Sequence, residues 1–316
     1  MNRSLGTSLW ATDNDRLPAG DVLHRFSHKA MATSFEILCI HGDRAYAQQA
    51  AWKAFDLLDR LEQDLSRFIE NSDISRINCL ATGETSRVNR GTMECLLLAR
   101  LAYTETGGAF DISLGTGLFD LELVPHEFVV RSRGEGVRLD LGGIGKGYAV
   151  DRMAEVLLDW EIRQALIHGG FSSVRALDAP PDLAGWPLTM SMPAGEESES
   201  FALFHAKRCV LSASGLRKGD HILNPRGHQA GDRRLASWVA AGADAMMPFC
   251  RRAGTAGASE SAVESPAAVA EVLSTAFMIL DLDEVLDCTR RHTGLESWLI
   301  EQRSGGGGRG SVIHLP

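Results

Sequence analysis

The chain has 316 residues, 44% of them hydrophobic and 23% charged, with a formal net charge of −9. That length supplies one large domain or two small ones with ample material for a core, in the balance of an ordinary soluble globular protein. The acidic charge speaks against a nucleic-acid partner, since a phosphate backbone is bound by clustered cations.

Residues 1–21 are polar and punctuated by glycine and proline, and read as a flexible arm. "VLHRFSHKAMATSFEILCI" predicts two strands joined at Ala30–Thr33. From Ala45 to Phe68, residues Ala51, Phe55, Leu58, Leu61 and Leu65 recur at helical spacing. A second helix is expected over Thr92–Thr104, ending at Gly107–Gly108. "FVVRS" and "GVRLDLG" resemble a hairpin across "RGEG", and a third helix is expected from Tyr148 to Trp160. Short strands follow at "QALIHG", "SVRAL", "PLTMSM", "FALFHA" and "CVLSAS". The low-complexity stretch 251–264 reads as an inserted loop. Helices over Pro266–Met278 and Leu282–His292, a strand at "SWLIEQ" and a flexible tail from 303 to 316 complete the chain. Consecutive strands broken by a few helices predict an α+β fold, with mixed or antiparallel sheets flanked by helices, as one domain over 22–302.

The six cysteines, Cys39, Cys79, Cys95, Cys209, Cys250 and Cys288, form no CxxC, which speaks against a zinc knuckle. Most lie in apolar runs, where a free thiol behaves as a small hydrophobe, and reduced thiols fit the cytoplasm. No signal-type segment opens the sequence and no run approaches ~18 apolar residues, so a cytoplasmic protein without a membrane span is expected.

Chemistry concentrates in "LDLGGIGKGYAVDRMAEVL", residues 139–157. A dinucleotide fingerprint needs GxGxxG, whereas Gly142, Gly143, Gly145 and Gly147 give GGxGxG; a phosphate loop of the Walker type needs Ser or Thr after Lys146, and Gly147 stands there. The ingredients of anion binding remain: glycines that admit close approach, a helix N-terminus and a lysine. A tight structural turn with a solvated lysine reads the same residues equally well.

With its surroundings this turn resembles the ApbE family of FAD:protein FMN transferases, in which an Asp–Leu–Gly strand end, a small-residue turn, a lysine and Gly–Tyr–Ala–x–Asp recur. Further blocks follow in the family's order: "MATSFEI", with Ala32 where glycine is usual, "LEQDLSRFIENSDISRIN", "TGGAFDIS", "LSASGLRKGDHILNP" and "AEVLSTAFMIL". The resemblance implies an α+β fold that binds FAD and Mg2+. It also implies transfer of FMN to a Thr or Ser of an acceptor flavoprotein, with release of AMP.

On that resemblance Met31, Phe68, Ala109, Phe110, Asp111, Asp140, Lys146 and Leu223 contact FAD. Phe68 reads as a ring to stack on the flavin or as a core aromatic, and Asp111 as an acceptor for FAD or as an Asx-type turn. The implied metal ligands are the Gly143 carbonyl, Glu271 in place of the family's Asp, and Thr275 one helical turn later. Glu271 also reads as a surface residue of an amphipathic helix. "GADAMM", with Asp244, is a lower-ranked match to the metal helix. The family's His-x-x-Asp–Pro becomes "HILNP", with Asn224 for Asp and His221 kept. Either His221 or Glu271 assists proton removal on this reading. Water in place of the acceptor makes an FAD pyrophosphatase, and the departures at Glu271 and Asn224 point to a non-catalytic flavin-binding protein.

Overall fold

The computed structural model describes residues 22–170, 172–192, 200–215, 224–226, 234–255, 263–302 and 310–316. In chain order the first half runs β1 (Val22–Ala30), β2 (Thr33–His41), α1 (Arg44–Leu65), α2 (Asp73–Ile77), β3 (Thr85–Arg87), α3 (Arg90–Glu105), β4 (Leu121–Val124), β5 (Val129–Ser132) and α4 (Gly145–Asp159). The second half runs β6 (Ala165–Gly169), β7 (Ser173–Ala176), β8 (Trp186–Ser191), β9 (Ser200–Ala206), β10 (Cys209–Gly215) and β11 (Arg234–Gly242). It closes with α5 (Ala243–Thr255), α6 (Pro266–Ala276), α7 (Leu282–Arg291), β12 (Leu295–Glu301) and β13 (Ser311–Leu315).

The first hairpin turns at Met31 and Ala32, whose φ values of 50° and 56° are the left-handed conformation of a two-residue turn. Glycine reaches that region without a Cβ penalty, so Ala32 holds a position suited to glycine. α1 starts at Asp43, whose side chain accepts the N–H groups of Ala45 and Tyr46. Apolar residues at helical spacing then bury one face.

Eight strands form one sheet in the order β1-β2-β6-β7-β10-β11-β12-β13, with every neighbouring pair antiparallel. Both of its faces are covered. Ile37, Cys39, Val210, Val239 and Leu299 join the main core with the helices. Leu38, Ile40, Leu211, Ala240 and Trp298 pack with Trp186, Met190 and Ala206 from the β8–β9 pair. Burial on both faces explains why "ILCI" is a continuous apolar run rather than an alternating one. The fold is therefore α+β, as expected.

Several boundaries differ from the sequence reading. α4 starts at Gly145, inside the glycine turn. "FVVRS" supplies β5, but its partners are β3 and β4, and "GVRLDLG" forms no strand. Part of the expected loop at 251–264 is the end of α5, and part of the expected tail is β13, paired with β12. β11 was not anticipated. All six cysteines are free and five are buried. Burial pushes the thiols of Cys39 and Cys209 up to about 12 and about 11, as inert core groups. No helix among the described residues is long and apolar enough to cross a membrane.

Candidate functional site

The segment before the glycine turn is fixed by Asn78, at the end of α2. Its Oδ1 accepts the Leu139 N–H at 2.7 Å and its Nδ2 donates to the Leu139 carbonyl at 3.1 Å. Asp140 then divides its carboxylate. Oδ1 accepts the Gly142 N–H at 2.8 Å, and Oδ2 pairs with Arg67 Nε at 2.8 Å. The Arg67 guanidinium also lies 4.3 Å from the centre of the Phe68 ring. Phe68 is 81% exposed, which rules out its reading as a core aromatic and leaves a flat ring presented to solvent.

None of Gly142, Gly143, Gly145 and Gly147 has a positive φ, so the turn uses glycine for close approach rather than for left-handed backbone. A Cβ on Gly143 would lie 3.1 Å from Phe110 Cε2 and 3.6 Å from Thr275 Oγ1. One on Gly147 would lie 2.4 Å from the Ala267 carbonyl oxygen. Because α4 begins at Gly145, Lys146 and Gly147 belong to its first turn, where N–H groups lack helical partners.

Glu271, on α6, is 3% exposed, which corrects its reading as a surface residue. Its Oε2 accepts the Gly147 N–H at 2.6 Å, and its Oε1 pairs with the Lys146 ammonium. Lys146 Nζ also donates to the Gly142 carbonyl at 2.9 Å. Thr275 Oγ1 donates to the Glu271 carbonyl at 3.0 Å and lies 3.2 Å from Ser214 Oγ on β10. Ser214 was not singled out in the sequence, although it stands in the "LSASG" block.

The contacts thus bring Phe110, Gly143, Lys146, Glu271 and Thr275 to one place, with Asp140 at the edge of the turn. Ala109 and Phe110 are buried beside it. Asp111 spends its carboxylate on its own loop: Oδ1 accepts from the Ser113 N–H and hydroxyl, and Oδ2 from the Gly115 N–H. That is the Asx-type reading. Met31 sits at the hairpin tip, its N–H donated to Glu62 at 2.7 Å. Asp244 is exposed in the first turn of α5, whereas α6 is the helix that Gly147 meets. His221 and Leu223 lie outside the described residues.

Arg226 was also missed. It donates to the carbonyls of Gly107 and Thr106 and pairs with Glu284 of α7 at 2.7 Å, tying "NPR" to the turn before "AFD". A lone arginine beside a proline carries no sequence signal of that role.

A cavity of about 560 Å³ is lined by β1 and α1 residues including Arg25, His28, Trp52 and Asp59, and shares no residue with this cluster. As a cation site the cluster offers oxygen donors only: the Gly143 carbonyl, the Glu271 carboxylate and the Thr275 hydroxyl. Such a set suits magnesium completed by substrate phosphates.

The family model described as the ApbE family matches residues 31–118 and 116–247. A curated relative, the FAD:protein FMN transferase of Klebsiella pneumoniae (strain 342), is 22% identical over 238 residues, covering 64% of this chain and 73% of its own length. The flavin transferase ApbE of Vibrio cholerae shares the fold with a TM-score of 0.75 at 17% identity, over 93% of this chain and 97% of its own. The apo flavinyl transferase ApbE of Pseudomonas stutzeri gives 0.75 at 19%, over 93% and 94%. The ApbE protein of Thermotoga maritima MSB8 gives 0.73 at 20%, over 92% and 96%. With the family model matched over more than half of its length, the chain belongs to the ApbE family.

Proposed function

We propose that this chain transfers FMN from FAD to a Thr or Ser hydroxyl of an acceptor flavoprotein, releasing AMP, with magnesium at the pyrophosphate. One observation carries the reading: a cation, a helix N-terminus and three oxygen donors from two distant stretches converge at Gly143, Lys146, Glu271 and Thr275. The name of the Klebsiella relative supports the same activity.

In this reaction the Lys146 ammonium, at the start of α4, holds phosphate oxygens, as charge and dipole at a helix start favour. Gly143, Glu271 and Thr275 would hold magnesium, which when bound neutralises charge on the pyrophosphate. Phe68 offers its exposed face to the flavin ring. The acceptor oxygen bonds to the FMN-side phosphorus, and the bond from that phosphorus to the bridging oxygen breaks. The bridging oxygen departs on AMP. Both Glu271 oxygens are engaged, by Lys146 and Gly147, so His221 is the better group to take the hydroxyl proton. The same engagement of Glu271 favours a second reading, a flavin-binding protein without turnover.

The test incubates purified protein with FAD and magnesium, with and without an acceptor domain, following AMP by chromatography and covalent flavin by mass. AMP together with an FMN adduct on the acceptor is the expected result. AMP without an adduct would mean pyrophosphatase activity. Tight FAD binding without AMP in either tube would leave the non-catalytic reading standing.

A further inference from the structure

We propose that Lys146 and Glu271 form a latch that keeps the cation position closed until the pyrophosphate of FAD draws Lys146 away, so that divalent metal binds after FAD. The inference rests on the flavin-binding reading above and adds an order to it.

The Glu271 side chain is almost wholly buried, and each of its carboxylate oxygens already has a donor. Oε2 accepts the Gly147 N–H, and Oε1 is held by the Lys146 ammonium. A metal ion on Glu271 in that arrangement would sit against an ammonium, and two cations sharing one buried carboxylate repel each other. The two partners of the pair differ in freedom. Glu271 side-chain exposure is 4%, whereas that of Lys146 is 22%. Lys146 is therefore the member that can swing out, and Gly142 is its only other described partner.

A diphosphate at the start of α4 offers Lys146 two negatively charged groups in exchange for one carboxylate oxygen. Once the ammonium moves to them, Oε1 loses its partner, one helical turn before Thr275, whose hydroxyl lies 3.6 Å from where a Cβ on Gly143 would stand. Glutamate itself favours the latch. Its added methylene lengthens the arm by roughly 1.5 Å over aspartate, which lets one carboxylate reach Lys146 and the Gly147 N–H together. Linkage makes the coupling reciprocal, so metal also tightens FAD in the wild type.

Mn2+ bound by chelator-treated protein, counted by electron paramagnetic resonance, reads the latch from metal binding rather than from product. Without FAD, wild type should not saturate with Mn2+ at concentrations that saturate the FAD-loaded protein. Lys146→Met should bind Mn2+ without FAD about tenfold or more tightly than wild type. Glu271→Asp, too short to keep both donors, should shift the same way with Lys146 still present. Adding Glu271→Gln to Lys146→Met should abolish the gain, which locates the ion at Glu271. Wild type that takes up Mn2+ equally well with and without FAD overturns the latch, as does unchanged FAD-free binding in both single variants. Flavin fluorescence, measured separately, reports FAD binding to wild type. Its absence defeats the flavin-binding reading, while the FAD-free metal titrations still judge the Lys146–Glu271 contact.

Discussion

At Gly147 the backbones of α4 and α6 pass so closely that a single methyl group has no room. A Cβ there would lie 2.4 Å from the Ala267 oxygen, 2.7 Å from the Ala267 carbonyl carbon and 2.8 Å from Ala268 Cα. These are backbone atoms, and no rotamer change moves them. Gly147→Ala is expected to push the two helices apart and to cost about 1–3 kcal/mol of stability. Because Gly147 follows Lys146 in the first turn of α4, displacing that turn should also weaken FAD binding. Urea unfolding and an FAD titration on the variant check both effects; unchanged stability would mean that the helices adjust freely. The sequence showed this glycine as part of a phosphate-type turn, and its position was legible. Its reason was not, because the obstructing atoms lie some 120 residues along the chain.

At the scale of elements, α6 is held at both ends by side chains from elsewhere. No side chain of its own N-cap residue, Ser265, caps it. Asp151 of α4 does so instead, accepting the N–H groups of Ala267 and Ala268 at 2.8 and 3.1 Å. At the other end Arg234 of β11 donates to the carbonyls of Phe277 and Leu280. Burial pushes the Asp151 carboxyl up to about 6, against the opposing pull of Arg175 and Arg152. An unfolded aspartate titrates at about 3.9. Between these values the native protein binds a proton that the unfolded chain does not, so this group adds stability as pH falls. That contribution is lost as pH rises through about 6. Wild type should therefore gain stability relative to Asp151→Asn between about pH 7 and pH 4.5, measured by urea unfolding across that range. Parallel pH profiles for the two proteins would refute it. Asp151 stands within the Gly–Tyr–Ala–x–Asp match, yet nothing in the sequence assigned it this task, since a cap is normally sought beside the helix it serves. β11 escaped notice for a related reason. "RLASWVAAG" is rich in alanine and buried at most positions, so it shows no alternation and only one β-branched residue, Val239.

For the molecule as a whole, the site is assembled from stretches far apart in sequence: the loop after α3, the turn into α4, the end of β10 and the second half of α6. The ordered motifs made that set legible because each block carries its own glycine, aspartate or threonine. The sheet that brings them together was less so. Its last strand follows a glycine run, and it was read as tail. β13 pairs five residues with β12 and buries Leu315, and the rings of His314 and Trp298 stack with centroids 4.8 Å apart. β12 in turn pairs with β11, which carries Arg234 to the end of α6. Removing residues 310–316 should leave β12 as an open edge with unpaired N–H and carbonyl groups. The truncated protein is expected to melt several degrees below the full chain and to self-associate as its concentration rises, by scanning calorimetry and light scattering. FAD affinity per folded molecule should be retained at low temperature, because none of the groups assigned to FAD lies on β12 or β13. A truncated protein that melts with the full chain would make β13 dispensable. One that melts normally but loses FAD would instead place the terminal strand within the binding site.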